Sequence, residues 1–242
     1  MKQTIKTCFA ALVLLLAISC KKENSSMQTL SIDGTSSTQN VITDNKILAG
    51  KTIKIGTQVW ITRNLDVSRY RNGDPIPQVT DEAAWAALTT GAWCWYNNDS
   101  DTYAKTCGRL YNWYAVNDPR GLAPTGWHIP SDAEWDTLIT FLHGYASAGG
   151  RLKSTGTIEA GTGFWHYPNK GANNKSGFTG YPGGYRYPGT FNAIGYLGFW
   201  WSSTELIGST GAYYRLINSS DGHISIGVYE KFYGFSVRCV KD

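Results

Sequence analysis

Between Gly163 and Glu205 the chain reads GFWHYPNKGANNKSGFTGYPGGYRYPGTFNAIGYLGFWWSSTE, and up to Gly198 no more than five residues separate one glycine or proline from the next. Glycine inside a helix costs about 1 kcal/mol relative to alanine, and proline about 3. A stretch punctuated this closely cannot sustain a helix, so it folds as loops and short strands. The pieces GYPGGYRYPGTF and GYLGFWWSST read as short strands joined by tight turns. Strand alternation sends Trp200 and Trp201 to opposite faces, which predicts one buried ring and one exposed ring. With ten Trp, fifteen Tyr and only 17% charged residues, the chain has ample surface to bury, so it is neither disordered nor a helical bundle.

The N-terminus carries a different signal. MKQTIKTCFAALVLLLAISC has a basic start, an apolar run from Phe9 to Ile18, small residues and a cysteine. That order predicts a secretory signal peptide over residues 1–19, the run falling short of the ~20 residues of a membrane span. LAISC resembles a bacterial lipobox, which implies that Cys20 is lipidated and becomes the first mature residue. The ordinary signal peptide, with Cys20 incidental, is the alternative. Residues 20–47, rich in Ser, Thr and Asn, read as a flexible tether. The chain is therefore expected to be exported and lipid-anchored, in the outer membrane. The net charge of +4 falls to +2 once Lys2 and Lys6 leave, too weak and scattered for a nucleic-acid partner.

The folded domain is expected over residues 48–242. Ile53 and Ile55, then Val59 and Ile61, alternate on either side of a Gly56–Thr57–Gln58 turn and predict a hairpin. TDEAAWAAL predicts a short helix, GAWCWYNNDS a strand entering an Asx-rich turn, and GRLYNWYAVN a helix. In GWHIPSDAEWDTL, Ser131 and Glu134 form a capping box, with Asp132 at the positive end of the helix. Trp135, Leu138, Ile139 and Leu142 then make one apolar stripe. His128, between Trp127 and Ile129, reads as a hydrogen-bonded packing residue rather than a catalyst. The last thirty residues alternate as a β-meander with a hairpin at Asp221–Gly222.

The blocks GRLYNWYAV, LAPTGWHIPSDAEWDTL, GGRLKSTG, the Gly/aromatic stretch and GFSVRCVKD, in that order, resemble the Fibrobacter succinogenes major paralogous domain. That family occurs on secreted and lipid-anchored bacterial proteins and has no established biochemical function. HIPSDAEW is more distantly similar to a block of the formylglycine-generating-enzyme group. The resemblance implies an α+β, C-type-lectin-like fold: two short helices packed on small antiparallel sheets, with a loop-rich Gly/aromatic insertion. Oxidase activity of that group needs a copper-binding cysteine pair, and only Cys239 lies in the C-terminal half. Among Cys94, Cys107 and Cys239 one bridge is expected, the three pairings being equally open, and a long-range bridge adds roughly 2–4 kcal/mol.

No catalytic, metal or cofactor set emerges. The four histidines lack ligand spacing, and no Gly-x-Ser-x-Gly elbow occurs. Asp136, Glu159, Glu205 and Asp221 are the carboxylates from which a pair would have to be assembled. Asn97–Asp101 offers alternating oxygens but not a calcium loop, and reads as a turn tip. The expected role is binding or adhesion, with a glycan as first-choice ligand and a surface protein as second. The site residues expected are Trp165, Tyr167, Tyr185 and Tyr187 for stacking and Arg186 and Asn192 for hydrogen bonding. An enzyme acting on envelope or extracellular polysaccharide or protein, and a structural envelope protein, are the alternatives.

Overall fold

A computed structural model describes residues 52–242. The signal peptide, Cys20 and the tether lie outside the described residues. The first hairpin joins β1 (Thr52–Ile55) to β2 (Gln58–Ile61) in the register Ile53↔Trp60, and Gly56 takes the left-handed position in its turn at φ 61°. The chain returns at its end to this hairpin. β11 (Val240–Lys241) pairs with β2 on one side and with β5 (Trp127–His128) on the other, giving the sheet order β1-β2-β11-β5. A second antiparallel sheet has the order β10-β9-β8, with β8 spanning Leu197–Glu205, β9 Gly211–Asn218 and β10 Ile224–Glu230. The expected Asp221–Gly222 turn connects β9 to β10. Two small hairpins pair β3 (Trp93–Cys94) with β4 (Leu110–Tyr111) and β6 (Tyr185–Tyr187) with β7 (Thr190–Asn192).

Five α-helices and one short 3-10 helix, Tyr96–Asn98, lie among the described residues, more than the two helices implied by resemblance. α1 (Glu82–Ala86) starts at Asp81, whose side chain accepts from the Ala84 N–H. α2 (Ser100–Cys107) starts at Asp99 in the same way, so the acidic residues of NNDSD cap a helix. GRLYNWYAVN forms β4 and then the single-turn α3 (Trp113–Val116), capped by Asn112, in place of one helix. α4 (Asp132–Phe141) carries the full capping box, and α5 (Tyr145–Leu152) follows it. The Trp135, Leu138, Ile139 and Leu142 stripe is wholly buried.

Trp200 and Trp201 are both fully buried, against the expectation of one exposed ring. They do point to opposite faces, but β8 has a core on each. Trp200 packs with Trp60, Trp135, Trp165 and Phe178, beneath α4. Trp201 packs with Phe199, Phe235 and Trp113. The extended C-terminal segment supplies the second cover: Phe235, Val237 and Cys239 enter this core, while Ser236 and Arg238 turn the other way, also buried.

A chain so poor in regular elements leaves many buried carbonyls without ladder partners, and such groups must be satisfied. Three buried cations do this. Lys153 Nζ donates to the carbonyls of Lys170, Asn218 and Asp221 at 2.8, 2.9 and 2.7 Å. The Arg186 guanidinium donates to the carbonyls of Val79, Thr80 and Asp81 and lies between the rings of Trp85 and Phe191. Arg238 reaches the carbonyls of Ile61, Phe178 and Thr179 and the Asn64 side chain. No carboxylate is among these partners. Arg215, by contrast, is held by Asp132 at 2.6 Å and Asp136 at 2.9 Å, which joins β9 to α4.

Cys94, Cys107 and Cys239 are free and buried, so none of the three expected bridges forms. Burial pushes their thiols up, to about 11, 11 and 12. Cys94 and Cys239 sit in two different clusters of packed aromatics and aliphatics, and Cys107 is buried at the end of α2 beside the Thr106 hydroxyl.

Candidate functional site

Residues 153–184, between α5 and β6, contain no helix or strand. They are nonetheless pinned. Trp165 is fully buried, and its indole N–H lies 3.1 Å from both Ser154 Oγ and the Gly180 carbonyl. Asn169 Nδ2 donates to the carbonyls of Ser154 and Gly156. With Trp165 turned inward, its neighbours in sequence are displayed: Phe164 is exposed, and Tyr167 is 75% exposed.

A carboxylate–imidazole pair sits among these rings. Glu159 Oε1 is 2.7 Å from His166 Nδ1, and Glu159 Oε2 accepts the Tyr167 N–H at 2.9 Å. The hydrogen bond to His166 holds the Glu159 carboxyl below its usual range. With Nδ1 engaged by Glu159, Nε2 of His166 has no hydrogen-bond partner among the described residues. The ring stacks on Tyr196 with centroids 4.2 Å apart and planes 21° from parallel. Gly195 makes this possible: its φ is 78°, its carbonyl accepts the His166 N–H, and a Cβ there would stand 2.5 Å from His166 Cδ2. Ile158, Phe164, Tyr167 and Tyr196 are four of the ten large apolar side chains exposed among the described residues. Tyr196 stacks on His166, Ile158 shares the Gly195 surface with it, and Phe164 meets Tyr181 edge-on.

Of the expected ligand-binding residues, only Tyr167 belongs to this surface. Trp165 lies beneath it as an anchor, because its indole closes the core against β8. Arg186 is fully buried, its donors spent on the carbonyls that lead into α1. Tyr185 is half-buried, Tyr187 exposed, and Asn192 faces Tyr185 across the β6–β7 hairpin. The rings of Tyr185 and Tyr187 contact Tyr233, Phe199 and Phe235, and none of those contacts involves His166, Tyr167 or Tyr196. His166 and Tyr196 were not singled out as site residues in the sequence. The alternation Phe164–Trp165–His166 carries the signal, once the tryptophan is assigned to the inside.

The His128 cluster is structural in its geometry. His128 Nε2 is 2.7 Å from Glu134 Oε1 and its Nδ1 is 2.7 Å from Asp242 Oδ1. Glu134 Oε2 accepts from both the N–H and the hydroxyl of Ser131, which completes the capping box. The four carboxylates considered for hydrolysis do not pair. Asp136 binds Arg215 and Tyr145, Glu205 binds Lys231, and Asp221 binds Asn218 and His223. Among the described residues no three His, Cys, Asp or Glu converge as metal ligands.

A chain of small antiparallel sheets and short helices, with Phe164 and Tyr167 exposed on a pinned loop, is a mixed α/β domain. The family model of the Fibrobacter succinogenes major domain matches residues 53–241, and the chain belongs to that family. No curated protein matches the chain, and no solved structure does.

Proposed function

We propose that this protein is a glycan-binding module, carried outside the cytoplasm on a lipid at Cys20 of an outer membrane. The observation that carries the reading is the Glu159–His166 pair stacked on the exposed Tyr196 ring, with Phe164 and Tyr167 exposed on the same loop segment as His166. Flat aromatic faces stack on sugar rings, and the carboxylate and imidazole accept from hydroxyls. Among the described residues no second carboxylate hydrogen-bonds this pair, an arrangement suited to binding a hydroxylated ring. We read the arrangement as C-type-lectin-like. In support, the last strand pairs with the second strand of the N-terminal hairpin in one sheet, and Phe164 and Tyr167 are exposed on the long irregular segment.

The test is a glycan array probed with the purified protein and with a Tyr167→Ala, Tyr196→Ala double variant. Both side chains are exposed, so the variant keeps the fold. Binding by the parent and loss in the variant is the expected outcome. Binding that survives in the variant would keep the role and move the site to the Tyr185–Tyr187 hairpin. A folded protein that binds nothing on the array would sink the glycan reading.

A further inference from the structure

The six residues that make this surface are Ile158, Glu159, Phe164, His166, Tyr167 and Tyr196, and no lysine or arginine is among them. Its fixed polar groups accept. Glu159 is ionised and acceptor-only, and each of its oxygens has a lone pair beyond the one used by His166 or by the Tyr167 N–H. Nε2 of His166 has no hydrogen-bond partner among the described residues. Three aromatic rings add negative faces, which attract cations most strongly when the cation also meets a carboxylate. The ammonium of Lys153 is turned away: it lies 5.5 Å from the ring centre of the buried Trp165 and is committed to three carbonyls.

From this we infer that the site discriminates by charge and takes a saccharide bearing a free, protonated amine in preference to its N-acetylated form. Uronic acid sugars are the poorest ligands. The inference rests on the glycan-binding reading above. An ammonium on the sugar meets Glu159 and the ring faces together, and the remaining hydroxyls donate to the free lone pairs. An N-acetyl group keeps the hydroxyl contacts and loses the charge. A uronic carboxylate would face Glu159 with no cation between them, a like-charge contact that is unfavourable.

The experiment is titration calorimetry of the purified protein with three oligosaccharides of equal length, built from glucosamine, N-acetylglucosamine and galacturonic acid. It is run near neutral pH at low salt, with wild type and Glu159→Gln. Glutamine keeps an oxygen for the Tyr167 N–H and removes the charge. The expected result is an order of amine, then N-acetyl, then acid, with about tenfold between the first two, the size of one charge-assisted contact. Glu159→Gln should bring amine and N-acetyl forms within about twofold, largely by weakening the amine. Equal affinity for those two forms in wild type, or a preference that Glu159→Gln leaves intact, overturns the inference while glycan binding stands. Absence of binding by all three, from a protein that also fails on the array, removes both.

Discussion

Replacing Lys153 with methionine tests whether buried cations hold the irregular half of this domain together. Lys153 is fully buried, and its ammonium joins the carbonyl of Lys170 to those of Asn218 and Asp221. Methionine fills nearly the same space, so the cavity contribution is small. Three buried carbonyls lose their donor, at about 1–3 kcal/mol each. Against this stands the cost of burying the charge. Burial pushes the Lys153 ammonium from 10.5 down to about 8. That shift corresponds to about 3 kcal/mol, which the variant recovers. The net loss is about 3 kcal/mol. In urea, with a slope of about 2 kcal/mol per molar, the unfolding midpoint falls by about 1.5 M. The pH dependence has a definite sign. Because the folded pKa lies below the unfolded one, the unfolded chain binds more protons between about pH 8 and 10, and wild type gains stability over that range. Its advantage over the variant therefore widens, by about 2 kcal/mol, as pH rises through this window. Chemical unfolding of both proteins at about pH 7.5 and pH 10 reads both effects. A midpoint unchanged by the substitution, or an advantage that narrows with pH, would refute the reasoning.

The remaining predictions concern the cap, the platform and the anchor. Burial works against the His128 imidazolium, but its hydrogen bonds to Asp242 and Glu134 raise its pKa overall. Its contribution is complete below the ordinary histidine value and is lost as pH rises through the raised one, so His128→Ala should lower the melting temperature more at about pH 5.5 than at pH 8. Gly195→Ala places a methyl 2.5 Å from His166 Cδ2 at a φ of 78°, and should abolish sugar binding by pushing the imidazole off Tyr196, visible as a lost or shifted His166 resonance. An unmoved His166 resonance in that variant would show that glycine is not required there. Cys20→Ala should abolish incorporation of labelled palmitate and release the protein from membranes, whereas continued labelling would place the lipid elsewhere.

What the sequence determined by itself is local. The Ser131–Glu134 capping box, the β1–β2 and β9–β10 hairpins and the apolar stripe of α4 depend on residues a few positions apart, and the structure has each where the pattern places it. The helix α2 was not legible, because only Cys107 among its residues is buried and SDTYAKTC carries no apolar stripe. The division of the aromatics was decided only in three dimensions. An indole reads the same in sequence whether it closes a core, as Trp165 does, or lies open, as the phenol of Tyr167 does. Trp201 is buried because Phe235, thirty-four residues further on, covers the second face of β8. Arg186 looked like a hydrogen-bonding site residue because sequence cannot say that its donors go to carbonyls about a hundred residues away. Burial and the pairing of buried polar groups are properties of contacts between distant segments, and in a fold with so little regular structure those contacts decide both what is core and what is left to bind.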